Sequence, residues 1–146
     1  MTVKQGGYFA AVCITRLTKK GPQYLVQWSQ DLTGPNTGRK LLKFPGGMEE
    51  LEDNGNPEKT MRSEVEEETG FRINDDAEVT LLAKIVRVIH VQYFYLAWKR
   101  DCSGQKRAKV IKDGNSIHYP PFWASMDYLR EHLHRTHRPV LEHLPT

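Results

Sequence analysis

The chain has 146 residues, of which 27% are charged and 38% hydrophobic, and its net charge is +3. These values are typical of one soluble domain, and no apolar stretch reaches the length of a membrane span. Two cysteines, Cys13 and Cys102, are too few for a disulfide framework, and the N-terminus lacks an apolar signal core. We therefore expect a single domain over residues 1–146 in the reducing cytoplasm, with Cys13 a buried free thiol and Cys102 in a polar loop.

The N-terminal third is rich in β-forming residues. The run 8–15 (YFAAVCIT) predicts a strand buried on both faces, and 23–28 (QYLVQW) predicts its antiparallel partner after a turn at 19–22. After a loop over 29–39, residues 40–44 predict a short strand. It ends in Pro45-Gly46-Gly47, and we expect an acidic loop from there to Gly55.

A helix is predicted between two clear end signals. Asn56 is a good N-cap, Pro57 suits the first helical position, and Gly70 suits the position just after the last turn. Met61 and Val65 are four residues apart and predict an apolar stripe that faces the core.

The C-terminal half predicts more strands and two further helices. Residues 78–91 and 92–98 are expected as strands, and 100–114 as a basic loop in which a short strand around Val110 is left open. Ser125 predicts the cap of a helix that runs through His134, and Pro139 the start of a last short helix. Several strands with two or more helices predict an α+β domain layered around a mixed sheet.

The charge is unevenly distributed along the chain. Residues 46–68 contain nine of the 18 acidic side chains and only two basic ones, so this segment carries −7 and the remainder +10. An anionic substrate would be repelled by such an acidic segment without a metal, while the basic surroundings could attract it. This distribution favours a metal-dependent enzyme that acts on phosphates.

Three glutamates of the predicted helix form the strongest functional signal. Glu64, Glu67 and Glu68 are three and four residues apart and project from one helix face, where like charges repel. A hard dication such as Mg²⁺ takes oxygen ligands and would neutralise them. The alternative is a solvated acidic face, which is our interpretation of Glu66, because it projects away from the other three.

These residues, with the glycines before them, resemble the signature of the Nudix hydrolases. The resemblance is carried by Phe44-Pro45-Gly46-Gly47 and by the segment 63–71 (SEVEEETGF). It implies an α/β/α sandwich around a mixed sheet, and hydrolysis of a pyrophosphate bond with Mg²⁺ or Mn²⁺. It also implies metal ligation by Glu64, Glu67, Glu68 and the carbonyl oxygen of Gly46, with Glu64 and Glu67 catalytic.

The chain departs from the signature at three points. Ser63 stands at the arginine position, Gly55 at the first glutamate position, and the intervening loop is two residues longer. Arg62 is the candidate to take the catalytic role of the arginine, by bending its side chain back. Asp53 or Glu52 is the candidate for the missing glutamate.

The sequence leaves several functional points open. Asp113 and Glu49 are both candidates for the general base, and His90 or His118 could contact substrate, while other substrate-binding residues are unassigned. The leading hypothesis is hydrolysis of a nucleoside diphosphate linked to another group. The alternatives are a Nudix-fold nucleotide- or RNA-binding regulatory domain, and action on RNA 5′ ends, suggested by a net +4 over residues 99–113. No membrane partner is expected, and pairing into a homodimer is possible through a strand or the C-terminal helix.

Overall fold

The computed structural model describes residues 4–146, which form eleven strands and two α-helices. The strands are β1 (Lys4–Thr18), β2 (Gly21–Asp31), β3 (Lys40–Lys43), β4 (Gly46–Glu50), β5 (Phe71–Ile73), β6 (Thr80–Val86), β7 (Val91–Trp98), β8 (Cys102–Gly104), β9 (Ile111–Asp113), β10 (Ser116–His118) and β11 (Phe122–Ser125). The α-helices are α1 (Pro57–Thr69) and α2 (Met126–His132), and the 3-10 helices are Leu51–Asp53, Lys99–Asp101 and Arg138–His143. Neither α-helix of this region has the length and apolarity needed to cross a bilayer.

The main sheet is mixed, as the sequence predicts. Its strand order is β6-β7-β1-β2-β10-β9, and β1 runs parallel to β7 but antiparallel to β2. β7 pairs with one edge of β1. The other edge is therefore shared by β4 and β2. β4 pairs with the N-terminal half of β1, and β2 pairs with its last four residues. The strands therefore separate beside the middle of β1, and this separation positions the site described below.

β1 is buried on both faces, which confirms the prediction from its apolar run. Ala10, Val12 and Ile14 face a core that includes Met61 and Val65 of α1. The alternate residues face a second core, formed with α2 and the C-terminal segment. Helices thus cover both faces of the sheet, and the architecture is the expected α/β/α sandwich.

The ends of α1 confirm the predicted capping residues. The side chain of Asn56 accepts a hydrogen bond from the backbone amide of Lys59 at 3.2 Å, and Pro57 occupies the first helical turn. Gly70 ends the helix with φ 86°, a left-handed conformation that glycine adopts without steric cost.

Several predicted boundaries were wrong. The segment after Gly46 is not a loop, because it pairs with β1 as β4 and continues into a 3-10 helix at 51–53. The strand predicted over 78–91 is limited to β6, since a turn closed by the amide of Arg87 on the carbonyl of His90 separates it from β7. Cys102 lies in β8 rather than in a loop. The second helix ends at His132, because Leu133 leaves the helix to bridge to Leu42 of β3.

Candidate active site

A cleft of about 370 Å³ opens where β4 and β2 diverge from β1. Its walls come from β1 to β4, from the C-terminal half of α1 and from the β9–β10 hairpin. Gly46, Gly47, Glu64 and Glu68 line it, together with Asp113 and His118 of the hairpin. The glycines and two of the glutamates that the sequence indicated therefore face one cavity.

Three carboxylates from two elements converge beside this cleft. One oxygen each from Glu50, Glu64 and Glu67 lies within 4.8 Å of the others. Glu64 is fully buried and Glu50 is 3% exposed, while Glu67 is exposed. We call Glu50, Glu64 and Glu67 the carboxylate group. Three oxygen donors this close fit a hard divalent cation, the kind of ligand set that Mg²⁺ takes.

The two glycines of β4 are required by close packing. A Cβ at Gly46 would lie 2.7 Å from Cα and Cβ of Ala11, so β4 could not pair with β1 at its present distance. A Cβ at Gly47 would lie 2.7 Å from Cγ and Oε1 of Glu64. Gly46 therefore sets the strand spacing, and Gly47 leaves the space that the Glu64 carboxylate fills.

Glu68, on the same helix, makes a side-chain hydrogen bond with Glu64 and has further partners outside the carboxylate group. Its Oε1 accepts hydrogen bonds from Nε2 of Gln27 at 2.7 Å and from the amide of Gly46 at 3.1 Å. Its Oε2 lies 3.5 Å from Nε2 of His118. Burial raises the pKa of Glu68, and the neighbouring His118 and the hydrogen bonds with the amide of Gly46, with Glu64 and with Gln27 oppose that shift. The structure thus brings together Glu64 and Glu67 of the predicted trio, and Glu68 adjoins Glu64 while it also contacts Gln27 and His118.

Residues 7–144 match the family model of the NUDIX domain. The chain belongs to the Nudix family. No curated protein matches it at a significant level.

Solved Nudix structures share this fold across nearly the whole chain. A MutT Nudix hydrolase from Burkholderia pseudomallei has a TM-score of 0.67 at 22% identity, covering 97% of this chain and 99% of its own. MutT from Aliivibrio salmonicida and Vibrio cholerae has a TM-score of 0.64 at 17% identity, covering 94% of this chain and 98% of its own. The Nudix domain of Shewanella oneidensis NrtR, solved with ADP ribose, has a TM-score of 0.64 at 16% identity, covering 96% of this chain and 86% of its own. At these identities the likeness establishes the fold.

The arginine that was expected to replace the Nudix arginine does not reach the glutamates. Arg62 donates from Nε to Glu58 at 3.0 Å, and its two terminal nitrogens donate to the carbonyls of Asn74 and Ala77 at 3.0 and 2.7 Å. Its side chain is therefore directed away from the carboxylate group and joins α1 to the turn after β5. The catalytic role expected of Arg62 stays a prediction.

The third carboxylate also differs from the expectation. Asp53 is 2% exposed and accepts a hydrogen bond from the hydroxyl of Thr60 at 2.5 Å, and Glu52 is exposed. Glu50 is the residue that lies with Glu64 and Glu67, and it was not singled out in the sequence because its segment was predicted as a loop. Its signal was the extended alternation from Gly46, which puts Gly46, Met48 and Glu50 on one face of a strand.

Of the remaining candidate site residues, some line the cleft and others do not. Asp113 and His118 line the cleft, whereas Glu49 lies against Gly7 of β1 and His90 lies in the turn before β7; neither lines the cleft. Glu66 is exposed, as predicted. Gln27, 1% exposed in the wall of the cleft, was not singled out in the sequence, because a lone glutamine within a β-strand pattern carries no functional signal.

Proposed function

We propose that this protein is a Mg²⁺- or Mn²⁺-dependent pyrophosphohydrolase that cleaves the diphosphate bond of a nucleoside diphosphate linked to another group. The observation that supports this most directly is the carboxylate group, whose three oxygens lie within 4.8 Å beside an open cleft. A cation bound there supplies the positive charge that a diphosphate needs to enter an acidic site and to react with water.

The residues in and beside the cleft have separate proposed roles. Glu64 and Glu67, with Glu50, hold the cation, while Gly46 and Glu68, the other ligands expected from the Nudix resemblance, border the same cleft. Asp113 lines the cleft and is the proposed proton acceptor for the attacking water, a role for which Glu49 is poorly placed. Lys43, also in the cleft wall, supplies positive charge for the phosphates of the substrate.

The proposed substrate class draws support from the family and from its solved members. The NrtR domain was solved with ADP ribose, a nucleoside diphosphate linked to a sugar, and the MutT structures belong to hydrolases. A cleft of about 370 Å³ lies within the range of small-molecule sites. We therefore place a small nucleotide ahead of an RNA 5′ end as the substrate.

The test is hydrolysis of a panel of nucleotides in Mg²⁺ or Mn²⁺, followed as release of mononucleotide or phosphate. The panel contains dNTPs, ADP-ribose, dinucleoside polyphosphates and capped RNA. Glu64→Gln, Glu67→Gln and Glu50→Gln should each abolish turnover of the active substrate, and Glu66→Gln, an exposed glutamate of the same helix, is the matched control. Absence of release across the panel, or full activity of all three variants, would refute the proposal.

A regulatory Nudix-fold domain is the second candidate. It is favoured by Ser63 at the arginine position and by the contacts of Arg62 with the carbonyls of Asn74 and Ala77. NrtR, a family member solved both with ADP ribose and with a 27mer DNA, provides a precedent of binding in this fold. Saturable binding of a panel nucleotide in calorimetry without turnover would favour this candidate over the enzyme.

The sequence leaves a homodimer open, through a strand or the C-terminal helix, and we propose that it forms at the β6 edge of the main sheet. Val86, Val88 and Ile89 are exposed there, at the end of β6 and in the turn after it. Sedimentation velocity should give a dimer for the wild type and a monomer for Ile89→Glu. A monomeric wild type would refute this.

A further inference from the structure

A second cavity, of about 420 Å³, lies between β3 and the segment that follows α2. We call it the basic pocket, after the side chains of Arg39, Lys40, Arg135 and Arg138 in its wall. We infer that the basic pocket binds a small anion that carries two or more phosphate groups. The inference goes beyond the proposed hydrolysis, because binding in this pocket requires neither a metal ion nor turnover.

The basic pocket is separate from the cleft, because successive residues of a strand face opposite sides of a sheet. Gln27 and Ser29 of β2 line the cleft, whereas Trp28, between them in the sequence, lines the basic pocket. Leu42 of β3 is the partner of Trp28 in the strand pairing and lines the same pocket. Over residues 4–146 the two cavities have no lining residue in common. A ligand can therefore occupy the basic pocket without contacting the carboxylate group.

The charge of the pocket wall is positive and unbalanced. All four cationic side chains are exposed, and no aspartate or glutamate among the described residues lines the pocket with them. In this part of the chain none of the four forms an ion pair, whereas Arg62, Arg72 and Arg130 each pair with a carboxylate. Like charges gathered in one cavity repel one another, and a bound anion would offset that repulsion.

Backbone hydrogen bonds hold the two segments that carry these charges. The amide of His134 donates to the carbonyl of Leu42 at 2.9 Å, which ties the segment after α2 to β3. Nε of Arg138 donates to the carbonyl of Leu133 at 2.9 Å. On the other side of the pocket, the amide of Arg39 closes the turn before β3 with a hydrogen bond of 3.1 Å. Both segments are therefore in place before a ligand binds, which lowers the entropic cost of binding.

His134, also in the pocket wall, responds to the positive potential there. Burial, followed by the charges of Lys43, Arg135 and Arg39, lowers its pKa to about 4. The imidazole is therefore neutral at pH 7 and adds a hydrogen-bonding ring to the wall. A bound anion would oppose the cationic contributions and raise this pKa.

The number and type of the cationic groups indicate the class of ligand. A guanidinium group matches the geometry of phosphate oxygens and binds them with two parallel hydrogen bonds. One phosphate monoester carries a charge of only about −1.5 to −2 at pH 7, so more than one is needed to offset four cationic side chains. A volume of about 420 Å³ is within the range of small-molecule sites, about 300–1,000 Å³. The pocket therefore fits a diphosphate or triphosphate group.

The simpler interpretation is a solvated basic surface without a ligand. It accounts for the exposure of the four side chains. It does not account for their convergence on one cavity without a neutralising acid. Two acids of the adjoining segments are directed elsewhere, since Asp31 lines the cleft and the carboxylate of Glu131 lies 3.7 Å from His132.

Contact with a nucleic acid is less well supported than binding of a compact anion. Single strands are bound along open basic grooves that present aromatic rings for the bases to stack on. Here the rings of Trp28 and Tyr128 already pack against His132, with centroid distances of 6.3 and 4.4 Å. The basic groups thus surround a cavity instead of following a stacking surface.

The inference is tested by calorimetric titration of the protein with tripolyphosphate in EDTA at low ionic strength. EDTA removes divalent cations, and without them the acidic carboxylate group repels a polyphosphate. We expect one tripolyphosphate per chain. Arg39→Gln and Arg135→Gln should each weaken binding by about 10-fold, the scale of a lost charge-assisted hydrogen bond. The matched control is Arg130→Gln, which removes the same charge from α2 at a side chain paired with Asp127, and it should bind as the wild type does.

Four results would overturn the inference. The first is no binding at about 1 mM tripolyphosphate, and the second is equal weakening in Arg130→Gln, which would indicate general attraction to a basic chain. The third is loss of binding in Lys43→Gln with retention in Arg39→Gln and Arg135→Gln, which would place the anion in the cleft. The fourth is binding of a single-stranded RNA oligomer, but not of tripolyphosphate, through Arg39 and Arg135.

The two arginine variants should fold, because both side chains are exposed and neither forms an ion pair in the described chain. Circular dichroism checks this, and wild-type crystals soaked in tripolyphosphate provide a second measurement of where the anion binds. Failure of this inference is distinguishable from failure of the proposed hydrolysis. A protein inactive on the nucleotide panel that binds tripolyphosphate in EDTA through Arg39 and Arg135 would refute the hydrolysis alone.

Discussion

Alanine at position 47 tests the geometry of the carboxylate group most directly. An ideal Cβ there would lie 2.7 Å from both Cγ and Oε1 of Glu64, about 0.7 Å inside ordinary van der Waals contact. Because Glu64 is fully buried, its carboxylate would have to leave its present position next to Glu50 and Glu67. We expect Gly47→Ala to weaken Mg²⁺ binding by about 10- to 100-fold, which corresponds to about 1.4–2.7 kcal/mol.

Gly46→Ala is the comparison variant, because its added methyl group meets Ala11 of β1 instead of the Glu64 carboxylate. The new Cβ would lie 2.7 Å from Cα and Cβ of Ala11, so β4 and β1 must separate. Overpacking of this kind costs about 1–3 kcal/mol. We expect Gly46→Ala to lower chiefly the free energy of unfolding, while Gly47→Ala lowers chiefly Mg²⁺ affinity and kcat/KM.

Both variants can be compared by urea denaturation and by calorimetric titration with Mg²⁺. The reasoning fails if Gly47→Ala binds Mg²⁺ as tightly as the wild type, since the Glu64 carboxylate would then not be a ligand in its observed position. A Gly46→Ala protein as stable as the wild type would contradict the packing argument for β1 and β4.

Three further outcomes are expected from contacts around the site. Arg62→Ala should lower the free energy of unfolding, measured in urea, by about 1–3 kcal/mol, because the Arg62 guanidinium donates hydrogen bonds to two backbone carbonyls. It should leave kcat unchanged. A fall in kcat at unchanged stability would support the catalytic role proposed for Arg62. Asp53→Asn should weaken the buried hydrogen bond with Thr60 and lower the free energy of unfolding by about 1 kcal/mol. Mg²⁺ affinity, measured by calorimetry, should be unchanged. Weaker Mg²⁺ binding would indicate that Asp53 is a ligand. Burial, with nearby Lys43, lowers the pKa of His134 to about 4, so the unfolded chain binds this proton more tightly. Stability should therefore be full above pH 6.5 and fall as the pH drops from 6.5 towards 4, and urea denaturation of His134→Gln across that range should show a shallower fall.

Local signals explain why so much of the fold was predictable. The capping by Asn56, the proline at 57 and the positive φ of Gly70 act within a few residues, so α1 was delimited correctly from the chain alone. The apolar run of β1 likewise required burial on both faces, and the two cores confirm it. β4 was missed because its pairing depends on β1, some 35 residues away, and not on its own acidic sequence.

The site shows the same division between near and distant partners. Helical spacing alone places Glu64, Glu67 and Glu68 on one face, and Glu64 and Glu67 do converge. Spacing cannot say what that face meets. Gln27 and His118, from two strands far from α1 in the chain, contact Glu68, which also makes a hydrogen bond with Glu64.

The sequence by itself indicated the family and the sandwich of helices around a mixed sheet through its resemblance to the Nudix signature. It also delimited the helix that presents the glutamates, because capping and periodicity act over a few residues. Only the tertiary structure decided that Glu50 completes the carboxylate group, that Arg62 binds carbonyls of a distant turn, and that Glu68 joins Asp113 and His118. Those outcomes depend on which strands lie beside α1. That arrangement is fixed by pairing and packing between segments far apart in the chain.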